Sequence, residues 1–421
     1  MVNNIAEDKS ETIQVYVAAV ALWMLTFPYY FWSFASISVF VYRIVFLLIV
    51  GIVFYKHCRN KRKCIDVKLI RLFCATLFYF IITTILKGDA NLFGIISPFF
   101  NLFLLNIAFA EIPFVEKVFS AFSKVFAYAI LISLVVWVGV ESGMLSPSGM
   151  IDNPSHDRLY YRYPFLIVMA EDLNSIVDTF RFHGPYDEPG VVGTFCSIIL
   201  CVNKFELKNK ENIICFVAGI CSFSFFFAIV ASVYVVLYYC FIERNNKFLI
   251  LFLIIGSIFY LKTKDDEMVY NTLWHRFEYN QDEGKISGIN RMSDEADIFY
   301  NNLSFTEYLF GGDEEKYQKV VEGSASYKSV VISNGIIFLV LYLSFFVFYA
   351  KSRTRKRFTF LLFLFVLLGN TFQRPDIYGT VVFFLYICLA NNREFSFLRE
   401  KTNIKLLQKK QILTQSKYSC R

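Results

Sequence analysis

The chain has 421 residues, of which 56% are hydrophobic, 19% aromatic and 18% charged. Soluble globular chains carry about 25% charged residues, so this composition excludes a soluble enzyme on a single anchor, a disordered chain and a disulfide scaffold. The net charge of +7 invites a nucleic-acid partner, but the placement of the charges along the chain excludes one.

A helix that crosses a bilayer takes about 20 apolar residues. Apolar runs at 13–30, 33–55, 69–86, 92–110, 118–140, 190–203, 211–242, 248–261, 329–350, 358–371 and 376–391 are the predicted spans. The N-terminus lacks a basic segment followed by a short apolar core and a cleavage site, so the first run is expected to be an uncleaved span. Basic residues gather in three short stretches: Lys56, Arg59, Lys61, Arg62, Lys63 and Lys68; Lys351, Arg353, Arg355, Lys356 and Arg357; and the tail 392–421. Short Lys/Arg-rich loops stay cytoplasmic. The three stretches share one side only if 211–242 breaks into two helices near Ser222–Ser224. The expectation is an all-α polytopic integral membrane protein, a single membrane domain over 1–421. It has about twelve transmembrane helices and both termini in the cytoplasm.

That topology puts two long loops, 141–189 and 263–328, on the outer face. Both are acidic, the second with fourteen Asp or Glu against seven Lys or Arg, so the excess positive charge marks topology and not a nucleic-acid footprint. The ten cysteines (58, 64, 74, 196, 201, 215, 221, 240, 388 and 420) all avoid these loops, and no disulfide is expected. His57, Cys58 and Cys64 lack the paired spacing of a zinc motif, and neither a metal nor a cofactor is expected. Arg43, inside the run 33–55, is costly at membrane depth and is expected to face the bundle interior or a wet cavity.

Long ordered loops usually serve a purpose, and no inverted repeat or matched pair of broken helices points to a secondary transporter. The densest outer stretch is Arg181-Phe-His-Gly-Pro-Tyr-Asp-Glu-Pro-Gly190. Gly184-Pro185 forces a turn. Pro189 suits the first turn of the helix that follows, which places Glu188 at or beside its N-cap. Glu188 either caps that helix or acts as a general base, with His183 as the second candidate. Tyr160, Tyr161, Tyr163 and Tyr186 are either sugar-stacking rings or interfacial belt residues. The second loop contributes Arg276 and Arg291, and Gln373-Arg-Pro375 adds Arg374. Arginine grips phosphate oxygens through a planar donor fork, so Arg181, Arg276 and Arg291 together suit a diphosphate. The acidic runs Asp265–Glu267 and Asp313–Glu315 are taken as solvated charges.

In order along the chain, Arg181…Gly184…Glu188-Pro-Gly190, Ser287-Gly288…Arg291, Phe310-Gly-Gly312, Ser326-Tyr327, Asn334-Gly335 and Gln373-Arg-Pro375 resemble the O-antigen polymerase (Wzy) family. The resemblance implies a metal-independent glycosyltransferase of the bacterial inner membrane. Such enzymes join undecaprenyl-diphosphate-linked oligosaccharide repeat units on the periplasmic face, with a chain-length regulator as a partner in some systems. On that resemblance Arg181, Glu188, Arg291 and His183 are the candidate catalytic residues. Arg276, Arg374, Tyr327, Gly184 and Tyr186 are the candidate substrate-binding residues. The partners expected are the lipid-linked oligosaccharide and membrane lipids. Two other readings stay open: an O-antigen ligase and a lipid-linked oligosaccharide flippase or transporter. The only histidine of the second loop, His275, lies early in it, unlike the late histidine of the ligases.

Overall fold

The computed structural model describes residues 2–32, 39–58, 67–86, 102–153, 158–169, 181–243, 246–270, 274–280, 285–286, 294–312, 326–354, 356–373 and 379–391. Five helical stretches are long and apolar enough to cross a membrane: Val41–Cys58, Val67–Ile85, Ile112–Glu141, Phe225–Glu243 and Tyr327–Arg353. The protein is therefore a helical membrane protein; the shorter apolar helices Pro189–Val202, Arg357–Gln373 and Thr380–Ala390 pack among those five, whereas Leu253–Thr263 is exposed.

In chain order the first half runs α1 (Val2–Met24), α2 (Tyr29–Trp32), α3 (Val39–Cys58), α4 (Val67–Leu86), α5 (Leu102–Phe109) and α6 (Ile112–Glu141). The run expected at 13–30 is thus a helix from Val2 to Met24, closed by a turn with Phe27 at φ +60°. Of the run expected at 92–110, only α5 lies among the described residues. α6 starts after Glu111 with Pro113 in its first turn, where the missing N–H costs no hydrogen bond. Arg43 lies near the described start of α3 and is exposed, not enclosed in the bundle; its guanidinium rests 4.3 Å from the centre of the Phe27 ring. His57 stacks on Phe114 and bonds Gln14 at 3.0 Å, so its ring is held by neighbours of the bundle.

The segment after α6 corrects the all-α expectation. Strands β1 (Gly149–Asn153), β2 (Arg158–Tyr163) and β3 (Leu166–Met169) form an antiparallel meander. Tyr163 pairs with Leu166 across a two-residue turn, Pro164-Phe165. Pro in the first corner suits such a turn. Phe165 takes φ +59° in the second corner because its ring is clamped by Tyr30 and Phe31, 5.4 and 5.3 Å between centroids. Its carbonyl also accepts a 2.6 Å bond from Ser133 of α6. The tyrosine-rich β2 carries the strand signal, which a survey for helical spans passes over.

The second half runs α7 (Pro189–Val202), α8 (Lys210–Cys221), α9 (Phe225–Tyr238), α10 (Asn246–Thr263), a short strand pair (Tyr279–Asn280 with Lys285–Ile286), α11 (Asp294–Asn301), α12 (Phe305–Phe310), α13 (Tyr327–Arg353), α14 (Arg357–Gln373) and α15 (Thr380–Ala390). The run 211–242 does break at Ser222–Ser224, with Ser224 capping α9. The run 329–350 is also interrupted, at Gly335. Every residue of α15 is buried, and the helix touches α1, α5, α6, α7, α13 and α14. A helix apolar on all sides belongs inside a bundle. α7 is nearly as deeply buried. At 1.5 Å per residue α7 and α15 are only about 21 and 17 Å long, short of the roughly 30 Å hydrocarbon core. They form the centre around which the longer helices pack.

Candidate functional site

The Arg181–Glu188 segment is a structured plug. Phe182 donates to the Cys221 carbonyl at 2.9 Å, Ile167 to Gly184 at 3.2 Å, and Tyr30 to Pro185 at 3.0 Å. Three separate elements are thereby tied to one loop: β3, the start of α2 and the end of α8. Gly184 takes φ +62° beneath Ile130, Phe182 and Val192. Phe182 and Tyr186 are fully buried, and His183 is 1% exposed. The Tyr186 hydroxyl sits 2.8 Å from Thr26 Oγ1, and burial pushes its pKa up, so the phenol stays neutral. His183 and Tyr186 thus lie in the interior of the plug, where neither presents a face to a bound sugar.

The two ends of the plug are open to solvent in part. Arg181 is half-buried, and its Nε donates to the Ser222 carbonyl at 3.4 Å. Glu188 is half-buried at the N-cap of α7, with Pro189 at N1, and its carboxylate makes no capping bond to that helix. A plain capping role is therefore not what holds it there. α7 meets the α8–α9 break closely: a Cβ on Gly193 would lie 2.1 Å from Ser224 Cβ.

The second loop approaches the same break. Phe277, next to Arg276, packs edge-on against Phe225 at 4.8 Å, three residues from the Ser222 carbonyl that Arg181 holds. The Arg276 side chain, Arg291 and Arg374 lie outside the described residues; Arg374 follows Gln373, the last residue of α14. α14 continues this end of the bundle, with Gly369 beside Phe226 and Phe372 edge-on to Tyr327 at 5.0 Å. Tyr327 in turn adjoins Tyr300, which adjoins Tyr308. Lys328 forms a 2.8 Å ion pair with Asp297 and lies 5.1 Å from the Tyr300 ring centre. Burial, the neighbouring phenols and their hydrogen bonds raise the pKa of Tyr300, so its hydroxyl stays neutral.

Phe310–Gly312 and Asn334–Gly335 also come together, while Ser326–Tyr327 stands at the start of the same helix. Gly335 takes φ +79° and opens the helical ladder of α13. Carbonyls released by such a break need new donors. Gly312 N–H supplies one to Ile332 at 2.7 Å, and the Tyr79 hydroxyl reaches the Leu309 and Asn334 carbonyls at 2.8 and 3.3 Å. Ser326 caps the N-terminus of α13 in a reciprocal box with Ser329.

The sequence pattern did not single out Tyr79, Tyr300, Tyr308, Asp297 or Lys328. Tyr79 sits in an apolar run, and Asp297 and Lys328 lie 31 positions apart, so no local spacing marks either. No family model, curated protein or solved structure matches the chain.

Proposed function

We propose that the protein polymerises undecaprenyl-diphosphate-linked oligosaccharide repeat units on the periplasmic face of the bacterial inner membrane. A hydroxyl of the incoming lipid-linked unit attacks the anomeric carbon of the growing glycan. The bond from that carbon to the diphosphate oxygen breaks, and undecaprenyl diphosphate leaves. Glu188 takes the hydroxyl proton. Arg181 and Arg291 hold the developing negative charge, with Arg276 and Arg374 in support. Preorganised cations of this kind are worth about 3 kcal/mol each.

The observation that carries the reading is the meeting of two loops at one helix break. Arg181 bonds the Ser222 carbonyl, and the turn that contains Arg276 packs on Phe225. Arg181 and the backbone of Arg276, from separate segments, lie at one break, which supports a diphosphate clamp. The Tyr300, Tyr308 and Tyr327 cluster, further along the same end, offers aromatic faces and hydroxyls to the sugars. Burial of His183 favours Glu188 as the base.

The test is a deletion strain complemented with wild-type protein, Arg181→Ala or Arg291→Ala. Loss of the protein leaves surface glycan capped with a single repeat unit, and both variants reproduce that loss. Bare core with accumulated lipid-linked polymer would identify a ligase instead. The interruption of α13 at Gly335 favours one second reading, a transporter, because such proteins use discontinuous helices. Under that reading both arginine variants keep full function.

A further inference from the structure

A polar cavity of about 360 Å³ lies at the far end of α7 from Glu188, lined by Ser120, Ser123, Lys124, Asn203, Glu206, Asn209, Glu211 and Asn212. The 14 residues of α7 separate it from the candidate site by about 21 Å. Its floor is built: Asn203 donates to Asn212 at 2.8 Å, and Asn212 donates to the Glu206 carbonyl at 2.9 Å. Ser123, 4% exposed, buries a hydroxyl with no hydrogen-bond partner among the described residues. A buried hydroxyl left unmatched costs about 1–3 kcal/mol, so this group calls for a ligand atom. Asn209, the N-cap of α8, makes no side-chain bond to the first turn of that 12-residue helix; its carbonyl takes the Asn212 N–H and its side-chain amide donates to Glu206 at 3.4 Å, which leaves the Lys210 and Glu211 N–H groups and the dipole for an anion.

The pocket carries both signs. Lys124 and the start of α8 suit a phosphate, while Glu206 and Glu211 suit an ammonium. The two carboxylates oppose a bare phosphate, and the lysine with the helix start opposes a bare cation. Two apolar stripes leave the pocket in the same direction on helices that pack together: Tyr128, Leu131, Ile132 and Val135 of α6, and Ile213, Val217 and Ile220 of α8, all exposed. α6 is 30 residues and about 45 Å long, which exceeds the roughly 30 Å core. Lys124, about 18 Å from its start, is the last charged residue before the charge-free run 125–140.

We propose that this pocket binds the headgroup of a membrane phospholipid bearing both a phosphate and a primary ammonium, with its acyl chains along the α6 and α8 stripes. Lys124 and the first-turn N–H groups of α8 hold the phosphate, Glu206 and Glu211 hold the ammonium, and Ser123 donates to an ester or glycerol oxygen.

The full chain in detergent micelles is titrated with phosphatidylethanolamine, phosphatidylcholine, phosphatidylglycerol and free phosphoethanolamine, and adducts are counted by native mass spectrometry. Phosphatidylethanolamine binds at least tenfold more tightly than phosphatidylcholine, whose ammonium has no N–H, and than phosphatidylglycerol, which has no ammonium. Lys124→Ala and Glu211→Gln each weaken it about tenfold, and Glu211→Gln does not weaken phosphatidylglycerol, which has no ammonium. Equal binding of the three lipids overturns the proposal without recourse to any variant. Unchanged affinity in both variants also overturns it. Phosphoethanolamine binding as tightly as the lipid would show a soluble ligand and overturn the assignment to a membrane lipid.

Discussion

Gly335→Ala tests whether the break in α13 is held by the second loop. Gly335 sits at φ +79°, and a Cβ there would lie 2.1 Å from the Leu309 carbonyl oxygen and 2.5 Å from its carbon. These are backbone atoms, so no rotamer change relieves the contact. With ψ 159° as well, the residue lies in a region of backbone space that is essentially glycine's alone, and a residue with a Cβ pays about 1–3 kcal/mol there. Displacing Leu309 also weakens the Gly312 to Ile332 bond and the Tyr79 to Leu309 bond, each worth about 0.5–1.5 kcal/mol net. The local loss comes to roughly 2–6 kcal/mol. Gly256→Ala on α10 is the control: it has nothing within 4 Å, and alanine there gains about 0.8–1 kcal/mol of helix propensity. Hydrogen–deuterium exchange of purified protein reads the outcome directly. Gly335→Ala speeds exchange at 309–312 and 331–336 and lowers the unfolding midpoint, whereas Gly256→Ala changes neither region. Wild-type exchange in Gly335→Ala would refute the account of this break.

Gly193→Ala places a methyl 2.1 Å from Ser224 Cβ and prises α7 from the α8–α9 break; it lowers the unfolding midpoint, and Ser224→Gly restores part of the loss. Tyr186→Phe removes the bond to Thr26 and costs about 1 kcal/mol of stability, but leaves polymer output unchanged, because the ring is buried beneath the surface; a loss of output at normal stability would place Tyr186 against substrate after all. Glu278 accepts a 2.5 Å bond from the Tyr270 hydroxyl and a contact from His275, and the tyrosine bond above all holds its carboxyl below the ordinary carboxylate range. Because the folded pKa is the lower one, this contribution is present above the unfolded carboxylate pKa and disappears as the pH falls through the depressed value. Amide protection factors across 274–280, corrected for the intrinsic pH dependence of exchange, accordingly fall with acidification, and Glu278→Gln removes that fall.

The helical membrane character was legible because an apolar run of membrane length has few other uses. The break at Ser222–Ser224 was legible only through charge: the basic clusters at 56–68 and 351–357 demanded an even number of crossings between them. The break at Gly335 was not: Ser333-Asn334-Gly335 is a turn signal within the run 329–350, but the Leu309 carbonyl that occupies the space beside Gly335 is 26 positions away. The meander at 149–169 was missed for a related reason. Its burial against Tyr29 and Tyr30 arises from the other end of the chain. At the candidate site, the N-cap position of Glu188 follows from Pro189 alone. The burial of His183 does not, because it depends on three distant segments closing over one loop. Arg43 was expected to face the bundle interior or a wet cavity; of the two, the interior is ruled out by its exposure near the described start of α3, with the guanidinium over Phe27.

Non-helical backbone at membrane depth survives only where protein or a wet cavity satisfies it, and this has a consequence for Arg181. The α8–α9 break releases the Cys221 and Ser222 carbonyls, and the plug answers with Phe182 N–H and Arg181 Nε. Arg181 therefore has a structural duty besides the proposed one, and Arg181→Ala alone confounds them. Arg181→Lys separates the two. A lysine keeps the positive charge and can still donate to a single carbonyl, but it lacks the planar fork that grips two phosphate oxygens at once. The 3.4 Å bond it would replace is long, so the stability change stays below about 1 kcal/mol. The unfolding midpoint then remains near that of the wild type while polymerisation falls at least tenfold, and Arg181→Ala lowers both. If Arg181→Lys polymerises at the wild-type rate, the guanidinium is not a diphosphate ligand and its work ends at the Ser222 carbonyl.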